Sequence, residues 1–397
     1  MNALPLTRQH FLMIVLVFLN LLVLSGCGES EGIKVSEPLP DRPATGQAGD
    51  GTLQDVVNYI RIEAGLPAMA AVLVHNGQII EMAVSGFRSI SSTTAVSVED
   101  KWHLGSLTKS MTSTLAAMLV KQGIINWDTT IADVYPELSG IMNSHYENVR
   151  LEQLLSHTSG MRANTPTLNS YHNSSLDIEG QRQKMIEEAL VLSPEVNKGE
   201  YLYSNLGYMV AGAMMERLTG TSWELLLEQN LFNTLAMTSS GFGVPDAQGN
   251  LTQPVGHLAQ GVGWIAKNDD NPAVLGPAGT VHSTLEDMGK YIAAHLSGLR
   301  GNDVVGLLTG AEFTKLHTAA KNPGYALGWV VTDGALWHNG SNTMWLASIN
   351  IDPAKNIALF IVTNAADLQK EKNSISVKAV DKLTSELVKR ADFAFSN

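Results

Sequence analysis

The sequence predicts an α+β fold: an antiparallel sheet built from both chain ends, flanked by helices, with a mainly helical domain inserted between them. Three observations predict it. Strand-like apolar runs with tight-turn signals stand near residue 70 and again after residue 325. Between about 106 and 300 the apolar residues recur at helical spacing. The chain has 397 residues, of which 44% are hydrophobic and 16% charged, enough for a sizeable core.

Taken in order, Leu53, Val56, Val57 and Ile60 share one helical face, so 52–64 reads as an amphipathic helix. The run Ala68–Val74, the turn Asn76-Gly77 and the return from Gln78 read as a hairpin. The middle segment gives helical patterns at 111–120, 151–155, 186–190, 206–218 and 223–231. The Gly- and Pro-rich stretch 241–281 reads as a long loop that frames a site. Strands follow at 325–332 and 335–339 around Asp333-Gly334, then at 345–351 and 357–363 around Asp352-Pro353. A last helix is expected over 372–391, with Val377, Val380 and Leu387 on one side. The predicted division is 52–105 with 281–397 as the α/β part and 106–280 as the helical part.

The N-terminus reads as a targeting segment. Arg8 precedes Phe11–Leu24, which is apolar except for Asn20 and shorter than the roughly 20 residues of a membrane span. Leu24-Ser25-Gly26-Cys27 resembles a bacterial lipobox. Cys27 is the only cysteine, so an internal disulfide is impossible, and lipidation is preferred over a spare thiol or an intermolecular bond. Residues 1–26 are thus expected to be a lipoprotein signal peptide and 27–51 a tether rich in Gly and Pro. The expected location is the bacterial cell envelope, on a lipid anchor. In a Gram-negative host Gly28 favours the outer membrane, since it is not the aspartate linked to inner-membrane retention. The formal charge of −12 argues against nucleic acid as a partner and suits solubility.

Several chemistries are absent from the sequence. There is no Gly-x-Ser-x-Gly elbow, Walker A loop, His-Glu-x-x-His or dinucleotide fingerprint, and the 11 histidines show no metal-ligand spacing. No metal or cofactor is expected. What stands out is Gly105-Ser106-Leu107-Thr108-Lys109 before a run of helix formers. Ser106 and Lys109 then lie one turn apart on one face, so the amine reaches the hydroxyl. A serine needs a base to become a nucleophile, and a desolvated lysine can be that base or tune another. A capping serine and a surface lysine would give the same short motif. Tyr203-Ser204-Asn205 offers a phenol for proton transfer and an amide for a substrate carbonyl or the lysine, or else a core tyrosine before a helix cap. Trp337-His338-Asn339-Gly340-Ser341 offers a histidine for an anion or for the tyrosine, and a glycine that lets substrate lie along the strand. An ordinary strand-end histidine is the plain alternative.

Together, Ser-x-x-Lys, Tyr-x-Asn and His-x-Gly in this order resemble the serine beta-lactamase and penicillin-binding protein family. The nearest likeness is to class C beta-lactamases, D-alanyl-D-alanine carboxypeptidases and related esterases. Leu154-Leu155-Ser156-His157-Thr158-Ser159-Gly160 and Pro277-Ala278-Gly279-Thr280-Val281-His282-Ser283-Thr284 match further family segments, and the likeness covers about 52–391. It implies Ser106 as acylated nucleophile, Lys109 as its helper and Tyr203 as base in acylation and acid for the leaving group. It implies Asn205, His338, Gly340 and Ser341 as substrate-binding residues, with the backbone N–H groups of Ser106 and Ser341 as an oxyanion hole. His157 is expected to be structural. Where beta-lactamases in particular carry Lys-Thr-Gly, this chain has His338-Asn339-Gly340, and a mostly neutral histidine attracts a carboxylate less. The expectation is therefore an exported acyl-enzyme hydrolase of a small amide, ester or D-amino-acid peptide. A class C-like beta-lactamase and a non-catalytic peptidoglycan-binding protein are the alternatives.

Overall fold

The computed structural model describes residues 52–319 and 324–395. The expected signal peptide, the tether and Cys27 lie outside the described residues. Helix α1 (Leu53–Ala64) opens with Thr52, whose side chain and that of Asp55 cap each other's backbone, and closes at Gly65 with φ 62°. Strands β1 (Ala68–His75) and β2 (Gln78–Gly86) form the expected hairpin, and Asn76 and Gly77 both take positive φ, as a two-residue type I′ turn requires. The short β3 (Trp102–His103) leads into a 3₁₀ turn, Gly105–Leu107, and helix α2 (Thr108–Lys121). Helices α3 (Ile178–Leu190) and α4 (Asn205–Thr219) follow in the inserted region. After β4 (Gly241–Phe242), β5 (Gly256–Gln260) and β6 (Gly263–Lys267), strand β7 (Val281–Ser283) precedes helix α5 (Leu285–Leu299). Strands β8 (Val330–Thr332), β9 (Ala335–Ser341), β10 (Leu346–Asp352) and β11 (Ile357–Thr363) and helix α6 (Ile375–Phe395) complete the chain.

The main sheet has the order β2-β1-β11-β10-β9-β8, and every neighbouring pair is antiparallel. The ends meet where Met69 faces Thr363 and His75 faces Ile357. Both faces of the central strands are buried, which is why they read as unbroken apolar runs. On one face Ala70, Val72, Phe360 and Val362 join the core shared with α2 and α5. On the other, Met69, Leu73, Leu359 and Ile361 pack with Val57 and Ile60 of α1 and Leu383 of α6.

Two expected elements differ. Of 325–332 only Val330–Thr332 is strand. Gly328 turns there with φ +81° and brings the backbone so close to α2 that a Cβ would lie 2.7 Å from the Ser110 Cα. The stretch 241–281 is not a plain loop. It contains β4, a β5–β6 hairpin turning at Gly261, and a helical turn, Gly276–Gly279. Trp264 anchors that hairpin by burying its ring and donating Nε1–H to the Gly65 carbonyl at 2.9 Å.

Candidate active site

From Trp102 to Leu119 every residue is buried except Ser106, which is partly open. The turn at Gly105–Leu107 thus presents one hydroxyl from an otherwise closed segment. Lys109, 0% exposed, brings Nζ to 3.0 Å from the Ser106 Oγ and 2.8 Å from the Ala278 carbonyl. Among the described residues no carboxylate lies within ion-pair distance of it. Burial alone therefore drives its amine well below the ordinary lysine value. Two further hydrogen bonds fix the register of α2 against 277–281. Thr112 Oγ1 donates to the Pro277 carbonyl at 2.7 Å, and the Val281 N–H donates to Thr108 Oγ1 at 3.1 Å.

The two glycines flanking this turn are required by backbone approach. A Cβ on Gly340 would sit 2.0 Å from the Leu104 carbonyl oxygen and 2.9 Å from the Ser106 nitrogen. One on Gly105, which has φ +51°, would sit 2.3 Å from the Ser341 nitrogen. Gly340 therefore seats the turn carrying Ser106 on β9. The same approach brings the backbones of Ser106 and Ser341 close together.

Tyr203 comes from the segment before α4, whose N-cap Ser204 accepts from the Gly207 N–H at 2.9 Å. Its ring lies 4.9 Å from Lys109 Nζ. Its buried hydroxyl faces Ser106 without completing a well-formed hydrogen bond. Burial pushes the phenol far above its usual range, against a smaller opposing pull from the Ser106 hydroxyl, so the neutral form dominates. Asn205 is half-buried, and its Nδ2 donates to Asn164 Oδ1 at 3.1 Å, a neighbour that no motif pointed to.

His338 is 1% exposed and offers no free nitrogen to a substrate anion. Its Nδ1 lies 2.6 Å from the Asn339 carbonyl and its Nε2 lies 3.1 Å from the Tyr325 hydroxyl. Burial, then the nearby Lys109, push it down to about 3, so the ring is neutral. This is a correction to the expected anion contact: the strand turns the imidazole into the tyrosine cluster, where a charge would be desolvated.

His157 belongs to the same cluster, although nothing in the sequence placed it near the serine. Its ring centroid is 4.2 Å from that of Tyr203 and 4.7 Å from that of Tyr325. Its Nδ1 accepts from the Ser204 N–H at 3.0 Å, which positions the residue after Tyr203. Burial, then Lys109 and His338, hold it neutral. Its left-handed backbone, φ 59°, is a sharp turn that the Ser-His-Thr-Ser-Gly string hints at without saying what the ring meets.

Residues 48–380 match the family described as Beta-lactamase. "Penicillin-binding protein 4" of Amycolatopsis lactamdurans is 24% identical over 333 residues, covering 78% of this chain and 84% of that protein. "Protein flp" of Staphylococcus aureus is 20% identical over 79% of this chain, which spans 62% of that longer protein. Among solved structures, a D-alanine carboxypeptidase AmpC from Burkholderia cenocepacia superposes with a TM-score of 0.65 at 20% identity, over 84% of this chain and 98% of that one.

Proposed function

This chain belongs to the beta-lactamase family of serine hydrolases, and from that premise we propose an exported, lipid-anchored enzyme that forms an acyl-enzyme on Ser106. The observation that carries the reading is a buried lysine amine, held well below its usual pKa by desolvation, 3.0 Å from a partly exposed serine oxygen. With one N–H donated to the Ala278 carbonyl, the nitrogen lone pair of Lys109 is left to accept the Ser106 proton. The oxygen attacks a carbonyl carbon, and the N–H groups of Ser106 and Ser341 take the negative charge that forms on the carbonyl oxygen. The C–O or C–N bond to the leaving group then breaks, and the leaving atom takes a proton. Tyr203, held as a phenol, supplies it and is reprotonated from Lys109. This assigns the base to Lys109, and the acid alone to Tyr203. Water then hydrolyses the acyl-enzyme by the reverse sequence.

The substrate is a small ester, amide or D-amino-acid peptide. The neutral His338 favours an ester without a carboxylate beside the scissile bond, because no cation is presented from β9. The names of the relatives favour a D-alanyl peptide or a penicillin as acyl donor. A panel of p-nitrophenyl esters, D-alanyl-D-alanine peptides and nitrocefin, read with mass spectrometry of Ser106, separates them. Ester turnover above the others supports the reading. Rapid nitrocefin turnover makes the enzyme a beta-lactamase, and a chain unlabelled by any acylating probe makes it a binding protein. The anchor rests on the apolar run and Leu24-Ser25-Gly26-Cys27. Palmitate labelling in a bacterial host should be present in the wild type and lost in Cys27→Ala.

A further inference from the structure

The segment after the β5–β6 hairpin carries a carboxylate outside the acylation chemistry. Asp270 is 11% exposed, and both of its oxygens lie 3.0 Å from Nε2 of His103, whose side chain is fully buried. On its other side, His103 Nδ1 accepts from the Gly105 N–H at 3.1 Å. An Nδ1 that accepts must be bare, so the ring proton is on Nε2 and points at the carboxylate. The same carboxylate accepts from Asn342 Nδ2 at 3.2 Å and from the Asn271 N–H at 2.7 Å. Asn342 follows Ser341, and its Oδ1 accepts from the Met344 N–H at 3.3 Å, closing the turn at the end of β9.

We propose that Asp270 is a positioning residue that braces both walls of the oxyanion hole, one through His103 and the Gly105 amide, the other through Asn342. The proposal rests on the acylation reading above, since it needs the Ser106 and Ser341 N–H groups to receive the oxyanion. Gly105 and Gly340 let the two backbones touch, but contact alone does not fix the rotation of the peptide planes. The direction of an N–H is set by what holds the neighbouring peptides. His103 holds the peptide before Ser106, and Asn342, the residue after Ser341, is pinned between Asp270 and the Met344 N–H. A donor turned away by a fraction of an ångström stabilises the developing charge less, without altering ground-state binding.

The test uses three variants of the full chain with a p-nitrophenyl ester. In His103→Asn the side-chain oxygen takes the place of Nδ1 and still accepts from Gly105. In His103→Gln the amide replaces Nε2, keeping a donor for Asp270 but losing the acceptor. Asp270→Ala removes the shared carboxylate. His103→Gln, His103→Asn and Asp270→Ala each cut a link of the arm from Asp270 to Gly105 and should each lower kcat ~10-fold to 100-fold with KM within about twofold. If Asp270→Ala does not fold, Asn342→Ala cuts the second arm and should lower kcat by ~10-fold. Wild-type kcat in His103→Asn, which keeps the Gly105 tie but loses Asp270, or losses shared between kcat and KM, overturn the brace while Ser106 of the wild type still acylates. A wild type that does not acylate at Ser106 overturns the acylation reading itself, and this inference with it.

Discussion

The two walls of the site are built differently. The nucleophile wall is backbone against backbone: Gly105 and Gly340 let the turn at Ser106 rest on β9, and polar ties to Pro277, Ala278 and Val281 hold the helix behind it. The tyrosine wall is a group of rings: Tyr203, Tyr325, His157 and His338 meet tilted or edge-on, with centroids 4.2–6.4 Å apart in the contacting pairs. Tyr203 Oη and His157 Nε2 are buried there with no completed hydrogen bond among the described residues. One wall fixes geometry to a fraction of an ångström. The other buries Lys109 among neutral rings and offers it no counter-ion, so desolvation holds its amine well below the ordinary lysine value.

The comparison breaks most sharply at its centre. Ser106→Ala should lose at least ~10³-fold in turnover and all Ser106 labelling, on the scale of nucleophile removal in acyl-transfer enzymes. Retained turnover would place the chemistry elsewhere. Tyr203→Phe should lower kcat by ~10²-fold to 10⁴-fold, the range of a lost proton donor. Its thermal midpoint should be unchanged or higher, because the hydroxyl removed has no completed bond to lose. Gly340→Ala is the converse. A methyl 2.0 Å from the Leu104 oxygen forces the two backbones apart, so stability should fall by ~2–4 kcal/mol along with activity. Denaturant titration of the two variants side by side tests the contrast, and equal stability losses would erase it.

The acid response sharpens it further. His157 and His338 in the tyrosine wall, with His257, His282, His295 and His317 elsewhere, are all held neutral by burial. Their folded-state values lie below the unfolded value near 6.5, so the unfolded chain binds more protons in that window. Stability should therefore fall as the pH drops from 6.5 to about 4 for His257 and His282, and on to about 3 for His317 and His338. The slope is ~1.4 kcal/mol per pH unit for each such histidine. Melting curves between pH 7 and 4 check it, and a flat midpoint would contradict the buried neutral rings. The smallest effect is on catalysis: no limb in kcat/KM near pH 6.5 should trace to His338.

Legibility followed the same divide. That Lys109 reaches Ser106 is legible because the four residues Ser106 to Lys109 lie at one helix start. The paired chain ends were readable because β1 and β11 bury both faces and so stand out as apolar runs. What escaped depends on contacts distant in sequence. His157 meets Tyr203 only because residues 157 and 204 hydrogen-bond across 47 positions. The His338 ring is taken up by Tyr325, whose hydroxyl lies 3.1 Å from its Nε2 across 13 positions. The β5–β6 hairpin carries no clear alternation, since Trp264 and His257 anchor it through hydrogen bonds to distant backbone.

The central claim is that Ser106 is activated by a neutral Lys109, and the pH dependence of Ser106 acylation tests it most directly. Measured by rapid-quench mass spectrometry with an activated ester, the acylation rate should rise with pH through an apparent pKa far below the 10.5 of a free lysine. Lys109→Met should abolish it. The same variant should be more stable than wild type up to pH ~10, because a buried amine forced to deprotonate on folding destabilises the chain below its unfolded pKa. An acylation rate that titrates near 10.5, or that survives in Lys109→Met, would contradict the account.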